Sequence, residues 1–416
     1  MNMDFLNVPE DWAHRKTSVQ LRVFYYFYKA SASSQIPTIF FNGGPGFSGH
    51  NLLATWNAIL PKVQIPFVMV DQRGTGCSSS YPILNLENES DRLSFYGSRA
   101  IVEDAEAIRE ALYGKNSKWK IFGQSYGGTI VHRYLLTHPE SIVSASIHGL
   151  ALSRNQLGPY YFRMLGQKRI SDAYLSEHPQ DREKLAKVRR QIKPDLCFSK
   201  NKFKVCGEGT WDAILAYLFN GKASTLLPAV LSQLLSSDAK LDQKVFADLA
   251  NKYVLSLYAS ADQNGAESPE QFAALVARFY IGKMEMNTGR VDASDPANCN
   301  LILKTLKSEN PKKWVINICR FIQAMHNDDI VKELKDKVKV KSDPLDLEMF
   351  KDSMQKHPEV PVYLYSGAQD SFEPTELFQD EKSEVEQIHY VDFQNSGHEG
   401  FCTEAQVWKD LKAGPQ

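Results

Sequence analysis

The chain has 416 residues, 43% of them hydrophobic and 23% charged, with 48 basic and 49 acidic side chains. The formal net charge of −1 excludes a broad electrostatic pull on nucleic acid or anionic lipid, so recognition is expected in a pocket. No stretch reaches the ~18 consecutive apolar residues that a membrane helix needs.

The first dozen residues are polar, with Asp4, Glu10 and Asp11, and lack the basic-then-apolar pattern of a leader. A cytoplasmic location is expected, with an exported protein whose leader has been removed as the alternative. Residues 21–28, 38–41 and 67–70 read as strands. Ile101, Ala105, Ile108 and Leu112 then recur at helical spacing over residues 98–112. A short strand at 120–122, a helix at 129–136 and a strand at 144–150 follow. Such alternation implies a mostly parallel sheet covered on both faces.

Beyond residue 154 the alternation stops. Residues 211–219, 223–235, 244–256 and 269–279 are helical in pattern, and neither a repeat nor a low-complexity tract is present. Strands return at 362–366 and 388–391, with a closing helix at 404–411. This predicts an α/β core of residues 1–153 and 358–416, interrupted by a helical cap at 154–357, about 200 residues long. The six cysteines include no CxxC pair and no zinc spacing. Cys197 and Cys206 would close a short loop only in an oxidising compartment, and reduced thiols are the expectation.

Gly123-Gln124-Ser125-Tyr126-Gly127 lies between a predicted strand and a predicted helix, the context a G-x-S-x-G nucleophile elbow requires. Small flanking residues let the backbone turn sharply, and the helix behind presents unpaired N–H groups to developing negative charge. A serine hydroxyl needs a base, and the base needs an orienting carboxylate. Asp370 follows the strand at 362–366, and His398 follows the strand at 388–391, in the chain order Ser, Asp, His. Glu373 is the competing orienter. The other nine histidines lack this setting and read as structural or surface groups. Asn42-Gly43-Gly44-Pro45-Gly46 follows the strand at 38–41 and can place backbone against a substrate carbonyl. Gly44, favoured over Gly43, and Tyr126 are the expected N–H donors of an oxyanion hole. The Lys-Ser/Thr ending of a phosphate loop is missing. The fold expected is therefore the α/β-hydrolase fold, with no metal and no organic cofactor needed.

The Asn42–Gly46 turn, Asp71-Gln72-Arg73-Gly74-Thr75-Gly76-Cys77-Ser78, the elbow, Asp370 and His398 together resemble the prolyl aminopeptidase (proline iminopeptidase) family. Tripeptidyl aminopeptidases share much of the pattern. Val8-Pro9-Glu10-Asp11-Trp12 is similar to that group's approach to its first strand. The resemblance is strong over residues 21–150 and 361–411 and weak across the cap. It implies a serine aminopeptidase acting on short peptides, whose cap carboxylates bind the substrate's α-amino group. Glu285 is the best match for such an acid, Asp212 a weaker one where the family has Glu, and Glu208 a third. Many relatives have His at the position of Asn42 and Trp or Phe at that of Tyr126, which leaves a preference for proline open. Asp71 and Arg73 read as loop-fixing. The alternative is an esterase or amidase with the same triad and a small acyl substrate. A non-catalytic binding module is disfavoured because every triad position is filled. Oligomeric state is not legible.

Overall fold

The strands arise from β-branched and aromatic runs, whose stiff side chains suit a pleated, buried surface. The computed structural model describes residues 1–29, 35–56, 65–150, 158–200, 203–221, 223–235, 239–255, 269–286, 316–317, 320, 337–338, 340–341, 343, 345–373, 388–398 and 404–413. In chain order the strands are β1 (Asn2–Pro9), β2 (Gln20–Tyr28), β3 (Thr38–Phe41), β4 (Phe67–Asp71), β5 (Trp119–Gln124), β6 (Ile142–His148), β7 (Cys197–Lys200), β8 (Phe203–Cys206), β9 (Val362–Gly367) and β10 (Ile388–Phe393). All but β7 and β8 form one sheet, ordered β1-β2-β4-β3-β5-β6-β9-β10. β1 and β2 run antiparallel to their neighbours, and from β4 to β10 the pairing is parallel. β3, β4 and β5 are buried throughout, as central parallel strands covered on both faces must be.

The helices are α1 (Gly49–Trp56), α2 (Ser98–Tyr113), α3 (Tyr126–Thr137), α4 (Gly158–Glu177), α5 (Asp181–Gln191), α6 (Glu208–Leu218), α7 (Ala223–Leu234), α8 (Gln243–Ala250), α9 (Pro269–Ile281), α10 (Leu347–Lys356) and α11 (Ala405–Lys412). On one face of the sheet, Ile101 of α2, Ile130 and Tyr134 of α3, Ala277 of α9 and Phe350 of α10 join one buried cluster with β5 and β6. On the other, Leu52 of α1 and Trp408 of α11 cover Phe40, Met69 and Phe122. Helices α4 to α8 enclose a separate apolar core around Trp211, Leu215, Leu231 and Phe246. At the start of β5 the buried Lys120 ammonium donates to Leu411 O at 2.8 Å and to Ala413 O, fastening the C-terminal end of α11. No helix among the described residues is long and apolar enough to cross a membrane.

Two expectations need correction. The N-terminal residues read as a polar approach are themselves a strand: β1 pairs with β2 over its whole length, Asn2 opposite Phe27 to Pro9 opposite Gln20. Its outer positions are exposed, because an edge strand packs only one side, and that removes the apolar alternation by which strands are read. Cys197 and Cys206 are not reduced thiols but a disulfide. They face each other in the β7–β8 hairpin, a pairing that only the fold reveals.

The Asp71–Ser78 segment is fixed as expected of loop-holding residues. Asp71 accepts from the backbone N–H groups of His50 (2.9 Å) and Cys77 (2.8 Å). Arg73 is buried and donates to both carboxylate oxygens of Asp104, at 2.8 and 2.5 Å, and to the carbonyls of Pro9, Glu10 and Phe95. Trp12 Nε1 also donates to Asp104. A guanidinium so dry is tolerable only with its partners in place. Asp104→Ala is therefore expected to destabilise the protein by about 3–5 kcal/mol, while replacing both partners with apolar residues costs less. Urea unfolding checks this, and an Asp104→Ala loss below ~1 kcal/mol contradicts it.

Candidate active site

Ser125 stands between β5 and α3 with φ 58° and ψ −122°, a left-handed conformation that non-glycine residues hold only when their surroundings impose it. The neighbours show what imposes it. A Cβ on Gly123 would lie 2.1 Å from Gly127 O, and one on Gly127 would lie 2.2 Å from Phe41 O. The turn therefore threads directly over the end of β3. It is pinned by the Ser125 N–H donating to His148 O (2.9 Å) and the Gly128 N–H donating to Ser125 O (2.8 Å). Ser125 is the N-cap of α3, so it faces the positive end of the helix dipole.

The turn after β3 lies against this residue. A Cβ on Gly43 would sit 2.9 Å from Ser125 Cβ. Asn42 organises the turn: its Oδ1 accepts the Gly43 N–H (2.7 Å) and its Nδ2 donates to Ser48 O (2.8 Å). Gln72 holds Asn42 O at 2.9 Å. Gly44 has φ +117° and precedes a cis Pro45.

Asp370 and His398 are brought together. His398 Nδ1 lies 2.8 Å from Asp370 Oδ2. The other Asp370 oxygen accepts the N–H groups of Phe372 and Glu373, each at 2.8 Å. Burial alone would raise the Asp370 carboxyl, but the His398 charge and hydrogen bond, the Glu373 N–H and His148 outweigh it and hold it below the ordinary value. Burial alone would likewise lower His398. Asp370 and Glu373 outweigh that and raise it. Gly149, at φ +63°, clears the space, since a Cβ there would lie 2.9 Å from His398 Cε1. Glu373 is buried and paired with Arg163 of α4, and desolvation pushes its carboxyl up.

The three acids that the family resemblance singled out have different surroundings. Glu285 lies in a π-helical turn, Gly282–Met286, that follows α9. Its Oε2 accepts the Tyr126 hydroxyl (2.7 Å), and its Oε1 accepts both the N–H and the hydroxyl of Ser98 (2.8 Å each). Gly97 admits the carboxylate, for a Cβ there would lie 2.6 Å from Glu285 Oε1. Burial raises the Glu285 carboxyl, against the opposing hydrogen bonds and Arg133. Asp212 is gripped by Arg189 at 3.0 and 3.1 Å and by Arg320 at 2.6 and 2.9 Å, and it accepts the Asn317 N–H at 2.8 Å. Glu208 is half exposed and 3.4 Å from Arg189. Only Glu285 is joined, through Tyr126, to the residue beside Ser125.

The contacts around His398 and its neighbour Glu373 were missed by sequence reasoning. Asn220 and Arg163 of the helical region and Gly149 after β6 carry no local motif, and the contacts they form span long separations. Gly221 directly after Asn220 and Gly397 directly before His398 are the faint signal that a close approach was needed there.

An open sheet that is parallel from β4 onward, with a strained serine elbow after β5 and an Asp–His pair after β9 and β10, decides the architecture. Its fold is that of the α/β hydrolases. Residues 37–195 match the family model described as alpha/beta hydrolase fold. Over 119 residues the chain is 35% identical to a proline iminopeptidase of Aeromonas sobria, covering 27% of each chain. It is 30% identical over 130 residues to the proline iminopeptidase of Neisseria gonorrhoeae, covering 31% of this chain and 37% of the relative. Against proline iminopeptidase aneH of Aspergillus aculeatus the identity is 27% over 170 residues, 37% of each chain. The match thus spans between a quarter and two fifths of these relatives' length. The crystal structure of a proline iminopeptidase from Mycobacterium smegmatis aligns over 98% of this chain and 95% of that one, with 14% identity and a TM-score of 0.42.

The link from Tyr126 to Glu285 is testable by itself. Tyr126→Phe removes one donor from a buried carboxylate and is expected to cost about 1–3 kcal/mol of stability. Denaturant unfolding measures it, and an unchanged midpoint contradicts the assignment.

Proposed function

We propose that this chain is a serine hydrolase, specifically an aminopeptidase that releases the N-terminal residue of short peptides, with proline among its candidate first residues. The catalytic core is residues 1–153 and 358–416, and residues 154–357 form the cap. The observations that carry the reading are the 2.8 Å pairing of His398 with the buried Asp370 and a serine held in a strained elbow.

In this mechanism Ser125 Oγ attacks the substrate carbonyl carbon while His398 Nε2 takes the hydroxyl proton. Asp370 keeps Nδ1 protonated and stabilises the imidazolium that forms. The oxyanion meets the N–H groups of Tyr126 and Gly44. The Gly43 N–H is already engaged by Asn42, which supports Gly44 as the second donor. Collapse of the tetrahedral intermediate breaks the C–N bond, and His398 passes its proton to the leaving amine. Water then attacks the acyl-enzyme with His398 as base, and Ser125 is regenerated.

A specific observation favours an esterase or amidase as the second reading. Asp212 is fully engaged by two guanidinium groups, and both oxygens of Glu285 already accept hydrogen bonds, so neither is an idle receptor for an ammonium. A panel of aminoacyl-coumarin amides with free and blocked amines separates the two. The aminopeptidase reading predicts that blocking the amine abolishes most turnover, and equal turnover contradicts it.

His398 must be neutral to act as base. Its pKa lies above the ordinary 6.5, because Asp370 and Glu373 outweigh the effect of burial, so kcat/KM falls as pH drops through that raised value. Glu373→Gln removes one of the groups that raise it and is expected to move this acid limb to lower pH. A limb that stays in place contradicts the account of His398.

A further inference from the structure

The geometry points to Asn220, at the end of cap helix α6, as a positioning residue that fixes the loop carrying His398. The inference rests on the proposed role of His398 and goes beyond it, because it makes the helical cap part of the catalytic machinery.

The Asn220 side-chain Oδ1 accepts the His398 backbone N–H at 2.7 Å. Because the donor is a backbone amide, the acceptor can only be the carbonyl oxygen of the Asn side chain. A second observation is independent of that bond. A Cβ on Gly397 would lie 2.9 Å from the carbonyl carbon of Asn220 and 2.9 Å from Gly221 N. A Cβ on Gly221, which has φ +76°, would in turn lie 3.0 Å from Gly397 N. Two glycines thus face each other, and the turn after α6 rests backbone to backbone on the histidine loop.

The turn itself is held rigidly. The Asn220 N–H donates to Tyr217 O (3.1 Å), and the Gly221 N–H donates to Phe219 O (3.0 Å). Tyr217 lies in the last turn of α6, just before the turn that carries Asn220. Tyr217 packs on Phe372 at 4.8 Å, and Phe372 meets the His398 ring edge-on at 5.6 Å. The same helix takes the Ser371 hydroxyl on Ala216 O at 2.6 Å. The last turn of α6 therefore touches the loop bearing Asp370, and the turn after it touches the loop bearing His398. From the core side, Gln124 Nε2 donates to His398 O at 3.3 Å. The backbone of His398 is clamped between a core side chain and a cap side chain. Without the Asn220 oxygen the N–H loses its partner, and the imidazole loses a fixed point one bond from its own Cα.

The test compares Asn220→Ala, which removes the acceptor, with Asn220→Asp, which keeps one. Hydrogen exchange of the His398 amide reports the clamp directly. Steady-state turnover of the best aminoacyl amide reports its consequence, and the unfolding midpoint reports general damage. Asn220→Ala is expected to speed amide exchange and lower kcat by roughly 10- to 100-fold with KM little changed, as a misplaced catalytic group does. Asn220→Asp is expected to keep both near wild type. Wild-type exchange and kcat in Asn220→Ala overturn the inference, and so does equal damage in the two variants. Should the wild type turn over no amide at all, the proposed function fails, and amide exchange alone decides whether Asn220 holds His398.

Discussion

A carboxylate removed from water needs replacement for every hydrogen bond it gives up, and Asp370 has that replacement on both oxygens. Two backbone N–H groups occupy Oδ1, and the imidazole of His398 occupies Oδ2. The acid therefore keeps its charge in a dry site, and that charge in turn raises the affinity of His398 for a proton. Two features near Ser125 are shaped by this pair. Gly149 must lack a side chain for the ring to lie where it does. β6 ends at His148, whose carbonyl takes the Ser125 N–H, so the strand beside the imidazole also sets the pitch of the serine turn.

The helical region contacts the loops of both Asp370 and His398. Its first helix reaches the loop of Asp370 through the Arg163–Glu373 pair, Gln167 on Ser371 O and Arg169 on Ala368 O. Its third helix, α6, reaches the same loop, and the turn after it reaches the histidine loop. The apolar core around Trp211 and Phe246 gives these helices a rigidity of their own, and the Asp212 carboxylate between Arg189 and Arg320 ties α5 and α6 together. α9 differs: its buried side chains join the cluster of the sheet, and the π-helical turn after it delivers Glu285 to Tyr126. The residue following Ser125 is thus anchored from a segment 159 positions away.

What could be read in the sequence was what local chemistry dictates. Gly123 and Gly127 announce the elbow because no larger residue passes so close to backbone, and strands β3 and β4 announce themselves by short apolar runs, at 39–41 and 67–70. Asp370 and His398 were legible because strand ends and chain order restrict the choice. Partnerships across the chain were not. Asn220 meets His398 over 178 positions, and Arg163 meets Glu373 over 210; neither Asn220 nor Arg163 carries a pattern. β1 was hidden by its exposure at the sheet edge. The cysteine pair could not be judged without the hairpin register. Among the cap acids, residue type alone could not separate Asp212, locked between two arginines, from Glu285, bound to the tyrosine beside the elbow.

The central claim is that Ser125 is a nucleophile activated by His398. Reaction with a fluorophosphonate, followed by peptide mapping by mass spectrometry, tests it without assuming any substrate. The account predicts one stoichiometric adduct on Ser125, lost in Ser125→Ala and strongly slowed in His398→Ala. An unlabelled wild type, or an adduct that persists in Ser125→Ala, would contradict it.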